Sequence, residues 1–376
     1  MLHPTNVQQT RLFQFAGSAR YAYNWAIDQQ KAAYTDAGKF IPELELRKQF
    51  TQHKRLAGND WMYTISNDVF KQSLKNCCLA YQRFFQHKGG YPKYKSKKRS
   101  NYSFYQDTAK IKFNATHVRI EMLSPSKKRK HLYWVKLAET DRIPVGCKYY
   151  NPRITYDGLY WWISVAVDEP ARKSIITEYT EPVGIDLGIK ELAVVSDGTV
   201  YKNINKTARV RKLVKRQKQK QRQLSRKYLM NKAGNVWLKT KNIMKQEKQL
   251  KKIYQRLSNI RKSYRLQVIQ QIIQRKPSSI VLEDLNVTGM MKNRHLARAI
   301  QEQGFYNFRT TLEYYAGRLE IAVKYADRWY PSSKRCSQCG NIKADLKLSD
   351  RVYHCFVCGL VLDRDLNAAR NLAALV

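Results

Sequence analysis

Residues 181–198 read EPVGIDLGIKELAVVSDG, and this stretch decides how the whole chain is read. Val183, Ile185 and Leu187, then Leu192 to Val195, spell buried β-structure, and Asp197-Gly198 supplies a hairpin turn. Asp186 interrupts the apolar run between Gly184 and Gly188. Alone, it could be a turn residue beside glycine. Inside a strand core, an uncompensated carboxylate costs roughly several kcal/mol, so something must bind it.

Two other acids sit in comparable places. Glu283 ends the apolar run Ile280-Val281-Leu282, and Asp365 stands in LDRDLNAARNLAAL (362–375), where an alanine-rich helix begins. The plainer readings are a strand end meeting solvent for Glu283-Asp284 and a helix cap for Asp363 or Asp365. Taken together, two apolar strands and a helix each contribute an acid in a chain poor in acids. Converging carboxylates repel unless cations lie between them. Two Mg²⁺ ions about 4 Å apart would neutralise them and activate a water for in-line phosphodiester attack. The order Asp, Glu, Asp from strand, strand and helix fits the RNase H-like nuclease plan, whereas cut-and-paste transposases use an Asp, Asp, Glu order.

The charge balance names the partner class. The 376 residues carry 70 Lys+Arg against 29 Asp+Glu, a formal net charge of +41. Such a chain repels itself unless a polyanion neutralises it, and nucleic acid is the polyanion its dispersed cations suit. A membrane surface would call for one basic amphipathic helix instead. No apolar run reaches membrane-spanning length and MLHPTNVQQT does not read as a signal peptide, so the expected location is the cytoplasm, at the nucleoid.

Residues 206–262 hold 21 Lys or Arg and one acid, Glu247, around an apolar seam of Val210, Leu213, Val214, Ile243, Leu250, Ile253, Leu257 and Ile260. They read as two basic helices joined near KAGN (232–235) and facing a polyanion, with a further helix over 263–276. Helical spacing also marks 11–35, 61–87 and about 305–325, and strands are expected at 278–286 and within 321–330. GGYPKYKSKKRSNYSF (89–104) is a basic loop. From 102 to 168 the period is two, giving antiparallel strands of a small barrel. Trp161, Trp162 and Tyr160 there serve as core or as base-stacking platforms.

Of seven cysteines, Cys77, Cys78 and Cys147 read as ordinary buried thiols. Cys336, Cys339, Cys355 and Cys358 form C-x2-C-x15-C-x2-C, a zinc-ribbon spacing. Four thiolates leave no open coordination position, so the Zn²⁺ is structural and holds a loop from which Lys334, Arg335, Arg351 and Tyr353 reach nucleic acid.

GIDLGIKELAVVSDG, IVLEDLNVTGMMKN, the four-cysteine ribbon and DRDLNAARN occur in that order. In this the chain resembles the TnpB family of transposon-encoded RNA-guided DNA endonucleases, relatives of the compact type V CRISPR effectors. The match is strong over roughly 180–376 and weaker upstream. The resemblance implies a multi-domain α/β protein. Its RuvC-like nuclease domain (181–335 and 359–376) would hold catalytic Mg²⁺ on Asp186, Glu283 and Asp365. Asp365 is preferred to Asp363 because the family's last acid lies two residues before N-A-A, here Asn367-Ala368-Ala369. The resemblance further implies a zinc-bearing target-binding insertion (336–358) and a wedge β-barrel (1–19 and 100–180) interrupted by a helical recognition domain (20–99). Its partners would be a guide RNA from the transposon end and double-stranded target DNA beside a short flanking motif. The family's barrel usually opens on a basic strand, most of which MLHPTNVQQTRL lacks, so the barrel is completed differently or the chain is shortened. A guided repressor that binds without cutting is the alternative, and such relatives are expected to lose one or more of the acids.

Overall fold

The computed structural model describes residues 1–97, 100–124, 129–168, 178–347 and 349–375. Lys98 and Arg99 of the basic loop, residues 125–128 and 169–177 of the segment assigned to the wedge, position 348 of the ribbon, and position 376 lie outside them. The chain divides into two compact units, Met1–Pro170 and Ala171–Val376.

In the first unit, helix α1 (Asn6–Ala37) starts earlier than the apolar spacing suggests. A capping box explains this: Thr5 Oγ1 accepts from the Gln8 amide while the Gln8 side chain accepts from the Thr5 amide. Gly38, at φ 62°, ends the helix in the left-handed conformation. Its buried stripe of Leu12, Phe15, Ala16, Ala19 and Ala26 shares a core with α3 (Asn67–Phe85), and α2 (Glu43–Lys54) contributes Leu46 and Phe50.

Seven strands complete this unit: β1 (Leu2–His3), β2 (Tyr102–Tyr105), β3 (Ile111–Phe113), β4 (His117–Ile120), β5 (Trp134–Leu137), β6 (Tyr149–Tyr156) and β7 (Trp161–Val167). Their order is β2-β6-β7-β1-β5-β4-β3, and among the described residues no ladder joins β2 to β3. The N-terminus is therefore not idle. Leu2 and His3 pair with Leu137 and Lys136 on one side, and Leu2 pairs with Trp161 on the other. Two residues thus bridge the two halves of the sheet. Helices and sheet share one core, and α1 runs unbroken through residues 19 and 20, where the sequence reading divides two domains.

In the second unit, β8 (Val183–Leu187), β9 (Glu191–Val195), β10 (Val200–Lys202), β13 (Ser279–Glu283) and β14 (Ala322–Ala326) form a sheet ordered β10-β9-β8-β13-β14. β8, β9 and β10 run antiparallel, while β8, β13 and β14 are mutually parallel. The parallel crossovers carry the helices. α4 (Ala208–Met230) and α5 (Lys241–Gln274) join β10 to β13, with a small hairpin of β11 (Lys232–Ala233) and β12 (Val236–Trp237) at their tip. α6 (Val287–Met290), α7 (Ala297–Gln303) and α8 (Phe305–Gly317) join β13 to β14, and α9 (Arg364–Ala373) follows the cysteine segment and its strands β15 (Val352–His354) and β16 (Val361–Asp363).

Several expectations change. The helix expected over 263–276 is the second half of α5: nothing between Ile260 and Leu266 breaks a helix, so the 34 residues run on from the basic seam into the sheet-packing face. The helix expected near 305–325 stops at Gly317, because Ile321 already belongs to the core beneath the sheet and β14 begins at Ala322. Cys147 is only half-buried, in an exposed turn where its thiol donates to the Pro144 carbonyl, whereas Cys77 and Cys78 are buried as expected. Trp161 is core, and Trp162 donates its ring N–H to Asp157.

Candidate active site and metal centre

Strand alternation decides where the acids point. On β8, Val183 and Ile185 enter the core made with α5 and α8, and on β13 Ile280 and Leu282 do the same. The opposite face takes Val281, which packs with Ala326 and with Leu372 of α9. Gly184 and Asp186 therefore share the α9 face, as do Val281 and Glu283, because residues two apart lie on one side. Ile185 pairs with Leu282 across the parallel ladder, so Asp186 and Glu283, each the next residue along, are neighbours at the strand ends. Gly184 is what admits α9: a Cβ there would lie 2.0 Å from the Ala369 carbonyl oxygen and 2.4 Å from the Ala373 nitrogen. That close approach sets the first turn of α9, with Asp365, over Asp186.

The electrostatics record the convergence. The Asp186 carboxyl is pushed well above the usual carboxylate range, first by desolvation, then by the charges of Glu283 and Asp365, with Arg364 opposing. Among the described residues no hydrogen bond or ion pair reaches this carboxylate. Glu283 Oε1 accepts a hydrogen bond from Ser332 Oγ. Asp365 is paired with Arg364 at 3.2 Å and Arg351 at 3.8 Å. Asp363 spends its carboxylate on the helix cap, accepting from the Asp365 and Leu366 amides at 2.9 and 3.2 Å, and Asp284 is held by Arg328 and Arg309. Asp186 has Glu283 and Asp365 as its strongest acidic neighbours, and Asp365 shares its charge with Arg364 and Arg351. Among the described residues only the cysteines gather as tightly as a single ion requires. Asp186, Glu283 and Asp365 are near enough for Glu283 and Asp365 to act on the Asp186 charge.

The four cysteine sulfurs lie within 4.8 Å of one another, with Cys336–Cys358 at 3.6 Å and Cys339–Cys355 at 3.5 Å. A tetrahedron with Zn–S bonds of about 2.3 Å has S···S edges of about 3.8 Å, so this donor set could hold zinc. Each knuckle turns on a glycine, Gly340 at φ 77° and Gly359 at φ 75°, whose amides donate to the carbonyls of Cys336 and Cys355. The Cys358 amide, helped by that of Val357, holds the Cys355 thiol down to about 6 against desolvation. Cys358 rises to about 12 although the Leu360 amide favours its thiolate. The knuckle amides thus favour the Cys355 thiolate, while desolvation and the neighbouring sulfurs oppose that of Cys358.

Tyr353 does not reach out from this loop. It is fully buried in the small core beside the cysteines, packed with Leu346, Leu360 and Leu362, its hydroxyl donating to the Lys334 carbonyl at 3.2 Å. Phe356 and Val357 at the second knuckle are exposed apolar residues, as are Ile342 and Val352. Lys334 donates to the Ala344 carbonyl and Arg351 pairs with Asp365, so both are partly committed.

Two residues that motif reading used only as landmarks join the ribbon to the acids. Buried Asn367 accepts from the Ser337 amide and donates to the Arg335 carbonyl, at 2.9 and 2.6 Å. Asn371 donates to the Ser332 and Arg335 carbonyls, at 2.7 and 2.6 Å. Their four-residue spacing on α9, both toward one segment, is the signal that could have identified them. α4 and α5 form the basic hairpin over a seam of Val210, Leu213, Ile253 and Leu257, as its spacing predicts. Glu247 is engaged by Lys239 and Tyr228. No helix among the described residues is long and apolar enough to cross a membrane.

Residues 305–372 match the family model of the Cas12f1-like TNB domain, 163–294 match the OrfB/IS605 model described as a probable transposase, and 1–39 match the helix-turn-helix domain model of the same group. The last falls on β1 and the single long helix α1. An Escherichia coli K12 protein named "Putative RNA-guided DNA endonuclease InsQ" is 26% identical, over 99% of this chain and 90% of its own length. A Streptomyces pristinaespiralis protein named "Putative RNA-guided DNA endonuclease" is 28% identical, over 99% and 87%. The chain also shares its fold with Cas12f1 as seen by cryo-EM with sgRNA and target DNA. The TM-score is 0.55 and the identity 13%, over 97% of this chain and 82% of that one.

Proposed function

We propose, from the premise that the chain belongs to the TnpB family, that it is an RNA-guided, Mg²⁺-dependent DNA endonuclease that cuts guide-matched DNA beside a short flanking motif. One observation carries the reading: Asp186 and Glu283 lie on the α9 face of one sheet, Asp365 stands in the first turn of α9, and Asp186 is desolvated with Glu283 and Asp365 as charged neighbours. We take residues 181–335 and 359–376 as an RNase H-like, RuvC-type domain. Its support is the sheet itself, three antiparallel strands extended by two parallel ones, with helices on both faces. We take 336–358 as a zinc ribbon for target binding, 20–99 as the recognition helices, and 1–19 with 100–180 as the wedge. The names of the relatives support a guide RNA and a DNA target as partners.

When bound, Mg²⁺ would supply charge neutralisation and an activated water for in-line attack on the phosphodiester. The chain's own residues provide the setting. Asp186 and Glu283 are fixed by two paired strands, and Ser332 orients Glu283. The Asp363 cap holds the start of α9 and so aims Asp365. Arg364 and Arg351 add positive charge at the rim, which draws a phosphodiester inward. Sequence is read by guide pairing, with the protein gripping backbone.

The test uses protein purified with co-expressed RNA, Mg²⁺, and guide-matched DNA flanked by a randomised motif library. Cutting by the wild type and binding without cutting by Asp186→Ala are expected. An RNA-loaded protein that binds yet cuts no member of the library is a guided repressor. Unchanged cutting by Asp186→Ala places the chemistry elsewhere.

A further inference from the structure

Trp329 is a large apolar side chain to which the fold and the cutting mechanism give no task. It is 85% exposed, on a segment that is otherwise pinned. Before it, Arg328 binds Asp284 at 2.6 Å, and Asp327 accepts from the Trp329 amide at 2.8 Å. After it, Tyr330 packs with Val281 and Leu372, and Ser332 donates to Glu283. β14 brings Ala326 level with Glu283, so Trp329 is displayed three residues beyond that acid's own strand partner. In sequence the indole is bracketed by residues that contact Asp284 and Glu283.

An indole held in water by a rigid backbone forgoes a large burial gain, and it is the side chain best suited to stack on a flat π-system. Arg328 precedes it, paired with Asp284, and Lys334 and Arg335 follow within six residues, in a chain whose net charge of +41 favours a polyanion. We propose that Trp329 is a positioning residue that stacks on an unpaired nucleobase next to the phosphodiester presented to Asp186, Glu283 and Asp365, and so fixes the strand for cutting. The proposal rests on the nuclease reading above. Stacking is indifferent to base identity, as a guide-programmed enzyme requires of a contact near the cut.

The experiment pairs protein and DNA changes. Single-turnover cutting is measured for wild type, Trp329→Ala and Trp329→Phe on guide-matched DNA with one abasic site moved position by position around the mapped cut. Trp329→Ala should slow intact DNA by about 5- to 150-fold, the range base stacking supplies. Trp329→Phe should restore most of the rate. At one position an abasic site should slow the wild type comparably and leave Trp329→Ala no slower than before. Rates unchanged by Trp329→Ala, or losses that multiply at every position, overturn the proposal. A second readout is independent of cutting. In complexes carrying Asp186→Ala, 2-aminopurine moved position by position through the guide-matched target should be quenched at one position, and adding Trp329→Ala should relieve it. Trp329-dependent quenching with no wild-type cutting would sink the nuclease reading alone; normal cutting with Trp329-independent quenching would sink the stacking alone.

Discussion

At the scale of single residues, Asp186 carries a charge that its surroundings oppose. Its folded pKa is raised above the unfolded value, so the folded state holds the proton more tightly. The stability this group contributes is therefore complete below the unfolded carboxylate range and is lost as pH rises through the folded pKa. In zinc-loaded protein without Mg²⁺ at pH 8, Asp186→Asn should raise the melting temperature, by about 2–4 °C for each kcal/mol of repulsion relieved. The gain should shrink toward pH 5, and a lower melting temperature at pH 8 would show the site is not strained. Asp186 was legible in the sequence because a carboxylate in an apolar run breaks a physical rule. Ser332, Asn367 and Asn371 break none: a serine in a loop and two amides on a helix look ordinary until the fold shows what they hold. Tyr353 misled for the converse reason, since an aromatic beside cations reads the same whether it faces solvent or fills a small core.

At the scale of elements, the site depends on how closely α9 lies against β8. Gly184→Ala would drive a Cβ into the backbone of α9, which cannot yield as a side-chain tip can. We expect cutting to fall by roughly 100-fold or more, as misplacement of about 1 Å does elsewhere, with guide RNA still bound. Wild-type cutting by this variant would mean α9 is not held as described. The ribbon is coupled to the same helix through Asn367 and Asn371. Cys355→Ser should therefore release zinc, loosen 332–337 and slow cutting, with metal content and rate falling together. Retained zinc with retained rate would overturn the ribbon assignment. Of these elements, the cysteine knuckles and the basic seam were visible from spacing. α2 was missed because only Leu46 and Phe50 of its twelve residues are buried, too sparse a stripe to register. The continuity of α5 was missed because its buried face serves the hairpin first and the sheet afterwards.

At the scale of the whole molecule, a net charge of +41 and a hairpin with a single, already paired acid point to a large phosphate footprint. Guide RNA affinity should fall steeply with salt. Replacing Lys212, Lys215, Arg216 and Lys218 with Gln should flatten the slope of log K against log[salt] by roughly three, at about 0.7–0.9 for each phosphate left unneutralised. A slope untouched by those changes would remove the hairpin from the interface. Strand order and the mix of parallel and antiparallel ladders were not legible, because hydrophobic period tells which face is buried and not which strand is the neighbour. The two-residue strand at Leu2–His3 was invisible for the same reason. The central claim remains that two acids on one sheet face and a third on the helix covering it form the cutting centre, and it is tested most directly by single-turnover cutting of guide-matched DNA with Asp186→Ala, Glu283→Ala, Asp365→Ala and Asp363→Ala. The account predicts losses on the order of 10³-fold or more for each of the first three and a small loss for Asp363→Ala, whose carboxylate only caps α9. Near-normal cutting by any of the first three, or an equal collapse in all four, would contradict it.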